Sequence, residues 1–393
     1  MVGNELRARA HSLPGRSKIE VRVTVHDIAR AANVSRGTVH RALHNRPGVS
    51  ENTRQRVLLM ARHLNYKPYI PARVLATQRK LLIPIVVPVD ENEDPLWYQV
   101  KAGARTIAHE IREVEMETQW VVPKSWDTTD QITVMEQLIA KKVDGIALAP
   151  VDPDTLSKVI DKAVDSGIPV VTFNTDAPES RRMCFVGQDS LTAGRVAGAL
   201  MGEFLNREGK VAIITGFYRT LGHRERFEGF KEQIQKYFPN IEIIGIYENH
   251  DKPKEAYNIG QKVLKSCPDL GGIYVTAGGP FGAGDAVKDA GKGGIVKLVC
   301  FDLLKETVQL IREGIVQASI QQDPFFQGYE SVRILHNYLL INRKPSEEFV
   351  FTNLTIACQG NIEMLARQHI KNADIVTSQV LEKVSYIERA LRS

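Results

Sequence analysis

Between Val23 and Leu43 the chain reads VTVHDIARAANVSRGTVHRAL, two short apolar periodicities with almost nothing between them. In the first, Thr24 stands where it can cap a helix whose inward face is Val25, Ile28, Ala29 and Ala32, with Asp27 three residues on as in a capping box. That helix ends at Asn33, a residue that tolerates left-handed backbone. Ser35 then caps a second helix with Val39, Ala42 and Leu43 inward. Only Asn33 and Val34 are left to make the bend, so the two helices must cross steeply. A third pattern begins at Ser50 and turns Val57, Met60, Ala61 and Leu64 toward the pair. A core closed by three such short helices leaves Arg36, Gly37, Thr38, His40 and Arg41 on the outer face of the second, free to meet base edges and phosphates in a major groove.

The charge distribution points the same way. The whole chain of 393 residues carries a net +5. Residues 1–80 hold 16 Lys and Arg against 4 Asp and Glu, a surplus of 12, so the remainder is negative. A basic head on a mildly acidic body is the electrostatic footprint of a polyanion-binding domain fused to something else, and alone it fits nucleic acid or an anionic membrane. No run approaches the ~18 consecutive apolar residues of a membrane span. The N-terminal MVGNELRARAHSLPGRSK carries charges where a signal peptide needs its apolar stretch, so the chain is expected in the cytoplasm, off the membrane. Cys184, Cys267, Cys300 and Cys358 are scattered without CxxC spacing and read as small hydrophobes, with no zinc site or disulfide framework.

From Leu81 the texture changes. Apolar runs such as LLIPIVVPV (81–89), DGIALAPV (144–151), IPVVTFN (168–174), KVAIITG (210–216), LGGIYVTAG (270–278), VKLVCFD (296–302) and VQASIQQD (316–323) alternate with amphipathic stretches such as DQITVMEQLIAKK and DTLSKVIDKAVDSG. Continuous apolar strands separated by helices predict parallel sheet covered on both faces. Residues 81–360 are too many for one such sheet. The fold class is therefore multidomain: a small all-α helix-turn-helix domain joined to an α/β body with two doubly wound parallel sheets.

Open α/β sheets bind ligands beyond the carboxyl ends of their strands. The polar residues just after the apolar runs are Asp94, Asn174 to Asp176, Gly216 to Arg224, Asp302 and Gln322, with Trp97 nearby. Carboxylates, amides and an arginine offer paired donors and acceptors to vicinal hydroxyls, and an aromatic ring can stack on the apolar face of a sugar. No nucleophile with an adjacent base, no metal-ligand cluster and no phosphate loop accompanies them, so neither a cofactor nor a metal is expected. AGGPFGAG, Ala277 to Gly284, lacks both the GKS/T ending and the GxGxxG spacing and reads as a close turn before a helix. Asp94, Asp302 or Asp176 could in principle serve an enzyme as acid and base, but nothing sets one of them apart, and the expectation is a binding body.

In order and spacing, VTVHDIARAANVSRGTVHRAL, VSENTRQRV, LNYKP and ARVLA resemble the DNA-binding head and hinge of the LacI/GalR family of bacterial transcription regulators, over nearly all of residues 23–80. The resemblance implies that Arg36 and Gly37 occupy base-reading positions and that Thr38 and Arg41 hold phosphates and the adjacent base, with Thr24, Ser35 and His40 completing the DNA-facing set. His40 stands where the family commonly has serine. The fork of Arg36 can satisfy guanine O6 and N7 together. Leu75 matches the leucine that two subunits wedge into the minor groove. Tyr69 replaces the usual capping asparagine of that hinge helix, and Pro71 falls in its first turn, where proline is tolerated.

The body resembles the type I periplasmic sugar-binding proteins, ribose-type ones above all, through DPLWYQVKAGA, PVVTFNTD, VGQDSLTAGRVAG, HRERFEGF and VCFD. That resemblance implies ligand contacts from Asp94, Trp97, Asn174 and Thr175, a ring-oxygen clamp from Arg224, its partner carboxylate Asp302, and a hinge glutamine, Gln322. Ala277 and Thr175 replace an asparagine and an arginine of the ribose type, so a sugar or polyol other than ribose is expected. It also implies three crossings between lobes, near Gln188, Gln322 and Leu354, giving lobe 1 residues 81–188 and 323–354 and lobe 2 residues 189–322 and 355–360. The full scheme is a basic arm (1–22), the head (23–67), a hinge (68–80), the body (81–360) and a helical tail (361–393) without a heptad repeat. The expectation is an effector-responsive, sequence-specific transcription regulator that binds a pseudo-palindromic operator as a homodimer and senses a sugar or polyol. A transport-type sugar receptor, and a regulator sensing a nucleobase or sugar phosphate, stay open as alternatives.

Overall fold

The computed structural model describes residues 25–43, 47–64, 80–111 and 116–367. Thr24, Leu75, the rest of the expected hinge helix, the N-terminal arm and the tail from 368 onward lie outside the described residues, as does the side chain of His40. The chain divides into two compact units, 1–73 and 74–393.

In the first unit, α1 (Val25–Ala31), α2 (Arg36–Leu43) and α3 (Glu51–His63) close over Ile28, Ala29, Ala32, Val39, Ala42, Val57 and Ala61. Asn33, at φ 50°, turns the chain out of α1. Ser35 Oγ accepts the backbone N–H of Thr38 at 3.1 Å and caps α2; Ser50 accepts from Thr53 N–H at 3.3 Å and caps α3. Arg54 Nη1 donates to the Ala42 carbonyl at 3.2 Å, satisfying an acceptor that the end of α2 leaves open.

The second unit holds two six-stranded sheets. The first, in order β11-β5-β4-β3-β1-β2, comprises β1 (Leu81–Val86), β2 (Met116–Val121), β3 (Ile146–Leu148), β4 (Val170–Phe173), β5 (Cys184–Gly187) and β11 (Phe349–Phe351). The second, in order β12-β10-β9-β8-β6-β7, comprises β6 (Glu208–Thr215), β7 (Asn240–Glu248), β8 (Gly272–Val275), β9 (Lys297–Phe301), β10 (Ala318–Gln321) and β12 (Thr355–Ala357). Every pairing is parallel except β10 with β12. The central strands of each sheet are buried on both faces. In the first, α4 (Leu96–Glu110) and α12 (Pro324–Ile341) cover one side, α5 (Thr128–Ala140) and α6 (Pro153–Asp165) the other. In the second, α7 (Ser190–Phe204) and α8 (Leu221–Tyr237) face α9 (Pro253–Ser266), α10 (Pro280–Asp289) and α11 (Lys305–Arg312) across the strands. The continuous apolar runs follow from this double covering.

Five strands, β2, β5, β7, β11 and β12, lie outside the runs read from the sequence. β2 and β7 are sheet edges, and METQWV and NIEIIGIYE alternate because one face is covered and the other is not. β5 is a four-residue piece, and β11 and β12 are three residues each, too short for a periodicity to show. The chain passes from the first sheet to the second between β5 and α7, back between β10 and α12, and across again between β11 and β12.

α7 and α8 meet with almost no side chain between them. A Cβ on Gly194 would lie 2.2 Å from the carbonyl oxygen of Arg226, and one on Gly229 would lie 2.0 Å from that of Leu191. This close approach fixes the depth at which α8 presents Arg226.

Candidate functional site

On the head, α2 turns Arg36, Gly37 and Arg41 to solvent, with Thr38 half-buried beside them. The Ser35 and Thr38 hydroxyls lie 2.9 Å apart, so Ser35 is engaged in holding the start of the helix. Two arginines and a side-chain-free glycine on one solvent-facing helix make a surface that can approach a polyanion closely.

In the second unit the strands' carboxyl ends line one cleft. Asp94 follows β1; its Oδ1 accepts the Leu96 N–H at 3.0 Å as α4 begins. Trp97, only 2% exposed, meets Phe173 edge-on at 6.3 Å, and its indole side chain acts on the neighbouring Asp94 carboxyl, favouring its charged form. Asn174 and Asp302 both adopt left-handed backbone, φ 65° and 67°, which turns their side chains inward as the strands end. Gln322 ties the cleft together. Its Oε1 accepts from Asn174 Nδ2 and Arg226 Nη2, each at 3.1 Å, and its Nε2 donates to Asp302 Oδ1 at 2.8 Å. Those partners define which end of the amide is which.

Six of the seven expected ligand residues, Asp94, Trp97, Asn174, Thr175, Asp302 and Gln322, line this cleft; Arg224 does not. The arginine in the cleft is Arg226, two residues on. The buried positions of α8 run Gly222, Arg226, Gly229, Phe230, one helical stripe, and Arg224 falls off it. Arg226 is 4% exposed; its Nη1 donates to the Thr276 carbonyl at 3.0 Å, its guanidinium lies 3.8 Å from the centroid of Phe301, and its Nε is unpartnered. Asp176 is turned elsewhere, buried in an ion pair with Arg182 and accepting the Thr172 hydroxyl at 2.6 Å.

The cleft also takes Trp126, Thr220, His223 and Asp251. His223 Nδ1 accepts the Phe217 N–H at 3.1 Å, so the proton sits on Nε2; burial holds its pKa down and keeps the ring neutral. Asp251 Oδ1 accepts the Gly278 N–H at 2.8 Å. It lies just past β7, so reading IEIIGIYE as an edge strand would have found it. Burial above all, with Asp251 and Asp302 nearby, pushes Asp94 up to about 7 against the pull of the Leu96 N–H. Burial likewise raises Asp302, opposed by Arg226 and Gln322.

Contacts across the cleft hold the lobes together. Thr220 Oγ1 donates to the Val151 carbonyl at 2.9 Å, Arg219 Nη2 to the Trp126 carbonyl at 2.7 Å, and the Trp126 and Phe217 rings lie 4.8 Å apart. The Thr175 hydroxyl accepts the Gly222 N–H at 3.4 Å. The arrangement is a closed jaw.

Residues 85–343 match the periplasmic binding protein domain family, and residues 24–69 match the lacI family of bacterial regulatory proteins. The chain is a lacI-family head on a body of the periplasmic binding protein domain family. The chain is 29% identical, over 205 residues, to a D-ribose/D-allose-binding protein of Pseudomonas aeruginosa, a match that covers 50% of the chain and 63% of that relative, less than two thirds of its length. It is 29% identical over 248 residues to catabolite control protein A of Streptococcus mutans, covering 62% of the chain and 70% of the relative. A sugar-binding protein of a sugar ABC transporter from Bacillus halodurans has the same fold as the body, with a TM-score of 0.64 and 32% identity over 73% of this chain and 99% of that one. No helix among the described residues is long and apolar enough to cross a membrane.

Proposed function

We propose that this lacI-family chain is a cytoplasmic, ligand-responsive transcription regulator that binds a pseudo-palindromic operator as a homodimer and senses a monosaccharide or polyol. The observation that carries the reading is the joining, in one chain, of an arginine-bearing helix-turn-helix face to a two-lobed cleft whose amides, carboxylates and guanidinium surround a buried tryptophan edge. Arg36 reads a base edge, Gly37 lets the helix approach, and Thr38, Arg41, Thr24, Ser35 and His40 meet the backbone and neighbouring bases. Leu75 of each subunit wedges the operator centre. One head makes few contacts; linking two makes the second binding event a local one.

In the cleft, Asp94, Asn174, Thr175, Arg226, Asp302 and Gln322 contact ligand hydroxyls while Trp97 supports one face of the ring. The cleft binds; it does not convert. A ligand can shift lobe opening only through its differential affinity for the two states, and couplings of roughly 1–3 kcal/mol change a partner's affinity about 5- to 150-fold.

The reading is tested in two steps. A panel of pentoses, hexoses and polyols is screened for a rise in melting temperature of the purified protein, and the operator is selected from random duplexes and measured with and without the hit. Arg36→Ala is expected to reduce discrimination between operator and random duplex by about 5- to 150-fold, as a base contact worth ~1–3 kcal/mol does. Equal weakening on all duplexes would overturn its base-reading role, and a protein without preference for any duplex would overturn the regulator.

A further inference from the structure

Asp94, Asp251 and Asp302 line the closed cleft together with one guanidinium, that of Arg226. The Nη groups of Arg226 donate to the Thr276 carbonyl and to Gln322, not to a carboxylate. Arg219, at the mouth, donates to the Trp126 carbonyl and is not part of the lining, and His223 is neutral. With its carboxyls ionised the cleft therefore carries two negative charges that no lining side chain offsets. Like charges drawn from water without a counter-charge are costly, and the raised pKa of Asp94 is a symptom of that cost.

We propose that the effector carries a positively charged nitrogen on a polyhydroxylated frame, an amino sugar or amino polyol whose ammonium is held among Asp94, Asp251 and Asp302. This inference rests on the reading of the cleft as the effector site. An ammonium group presents three donors and no acceptor, which suits a cleft lined by several carboxyl groups, and each bond it makes to a carboxylate is charge-assisted. The rest of the lining asks for oxygen. Arg226 Nε, on a side chain 4% exposed, is a donor without a partner, and His223, which also lines the cleft, carries its proton on Nε2. Hydroxyls or a ring oxygen supply those acceptors. A neutral sugar would satisfy the same donors but leave the surplus charge shut in, or require the cleft to take up protons as it closes.

The test uses the full-length protein at pH 7. D-glucosamine, D-galactosamine, D-mannosamine and 1-amino-1-deoxy-D-glucitol are each titrated calorimetrically against the parent hexose or hexitol and against the N-acetyl derivative, which keeps the frame and removes the charge. At least one amine is expected to bind roughly 10-fold or more tightly than both of its neutral counterparts, as charge-assisted bonds exceed neutral ones. Asp251→Asn is expected to erase that preference without abolishing binding, and Asp94→Asn to narrow it, with the melting temperature of the free variants confirming that each folds. Neutral parents that bind as well as or better than every amine would overturn the proposal and leave the effector reading intact. Failure of the amines, the neutral parents and the pentose and polyol panel alike would overturn both.

Discussion

Arg226 shows how little a residue's type says without its position on the helix. A guanidinium on a residue only 4% exposed, with neither a carboxylate partner nor a third hydrogen bond, is held by one carbonyl, one amide and the face of Phe301. Such a group is worth keeping only if something else occupies its free N–H. Arg226→Ala is expected to abolish the ligand-induced rise in melting temperature and to destabilise the free protein by roughly 1–3 kcal/mol, since the Thr276 carbonyl and Gln322 lose a donor in a buried setting. Arg224→Ala, off the buried stripe, is expected to do neither; calorimetry on the pair checks both. Asp94 gives the pH dependence. Its carboxyl titrates near its ordinary 3.8 in the unfolded chain and at about 7 in the folded one. Between those values the folded state holds more protons, so this residue's contribution falls as pH rises toward 7. Asp94→Asn is therefore expected to raise the melting temperature above wild type at pH 8 and to leave it near wild type at pH 3.5, where both forms are neutral; the reverse order would place Asp94 in an environment that favours its charge. Of the cleft, Asp94, Trp97, Asn174, Thr175, Asp302 and Gln322 were legible because each follows an apolar run. Choosing between Arg224 and Arg226 needed the 3.6-residue period carried from Gly222, which a match of HRERFEGF by motif alone does not apply.

At the scale of elements, the contact between α7 and α8 sets the site. Gly194 and Gly229 let the two backbones touch, and α8 carries both His223 and Arg226 into the cleft. Gly194→Ala pushes a methyl against the Arg226 carbonyl, so it is expected to cost roughly 1–3 kcal/mol as overpacking does, and to weaken ligand binding although Gly194 touches no ligand. Thermal melting and calorimetry on the one variant check both effects. Full stability with weakened binding, or the converse, would show that packing and positioning do not share this crossing. The helices of the head and the central strands were readable from period and capping because each buries a full face. The edge strands were not: β7 exposes alternate residues, and with it Asp251 was lost, the third carboxyl group lining a cleft that holds one guanidinium.

Across the whole molecule, a basic groove-reading head and a closing two-lobed cleft have a reason to share a chain only if the state of one biases the other. Three passages connect the two sheets, and Trp126, Phe217, Arg219 and Thr220 join the lobes at the cleft mouth. Phe217→Ala removes the ring that meets Trp126 and is expected to weaken ligand affinity severalfold while leaving operator binding of the ligand-free protein within about 2-fold, since an aromatic pair is worth ~0.5–1.5 kcal/mol. The most direct test of the coupling is the operator affinity of the full-length protein, measured at fixed salt with and without saturating ligand, in wild type and in Arg226→Ala. The account predicts a ligand-dependent change of about 5- to 150-fold in wild type and operator binding without any response in the variant. An affinity that stays the same whether or not the cleft is filled would contradict it.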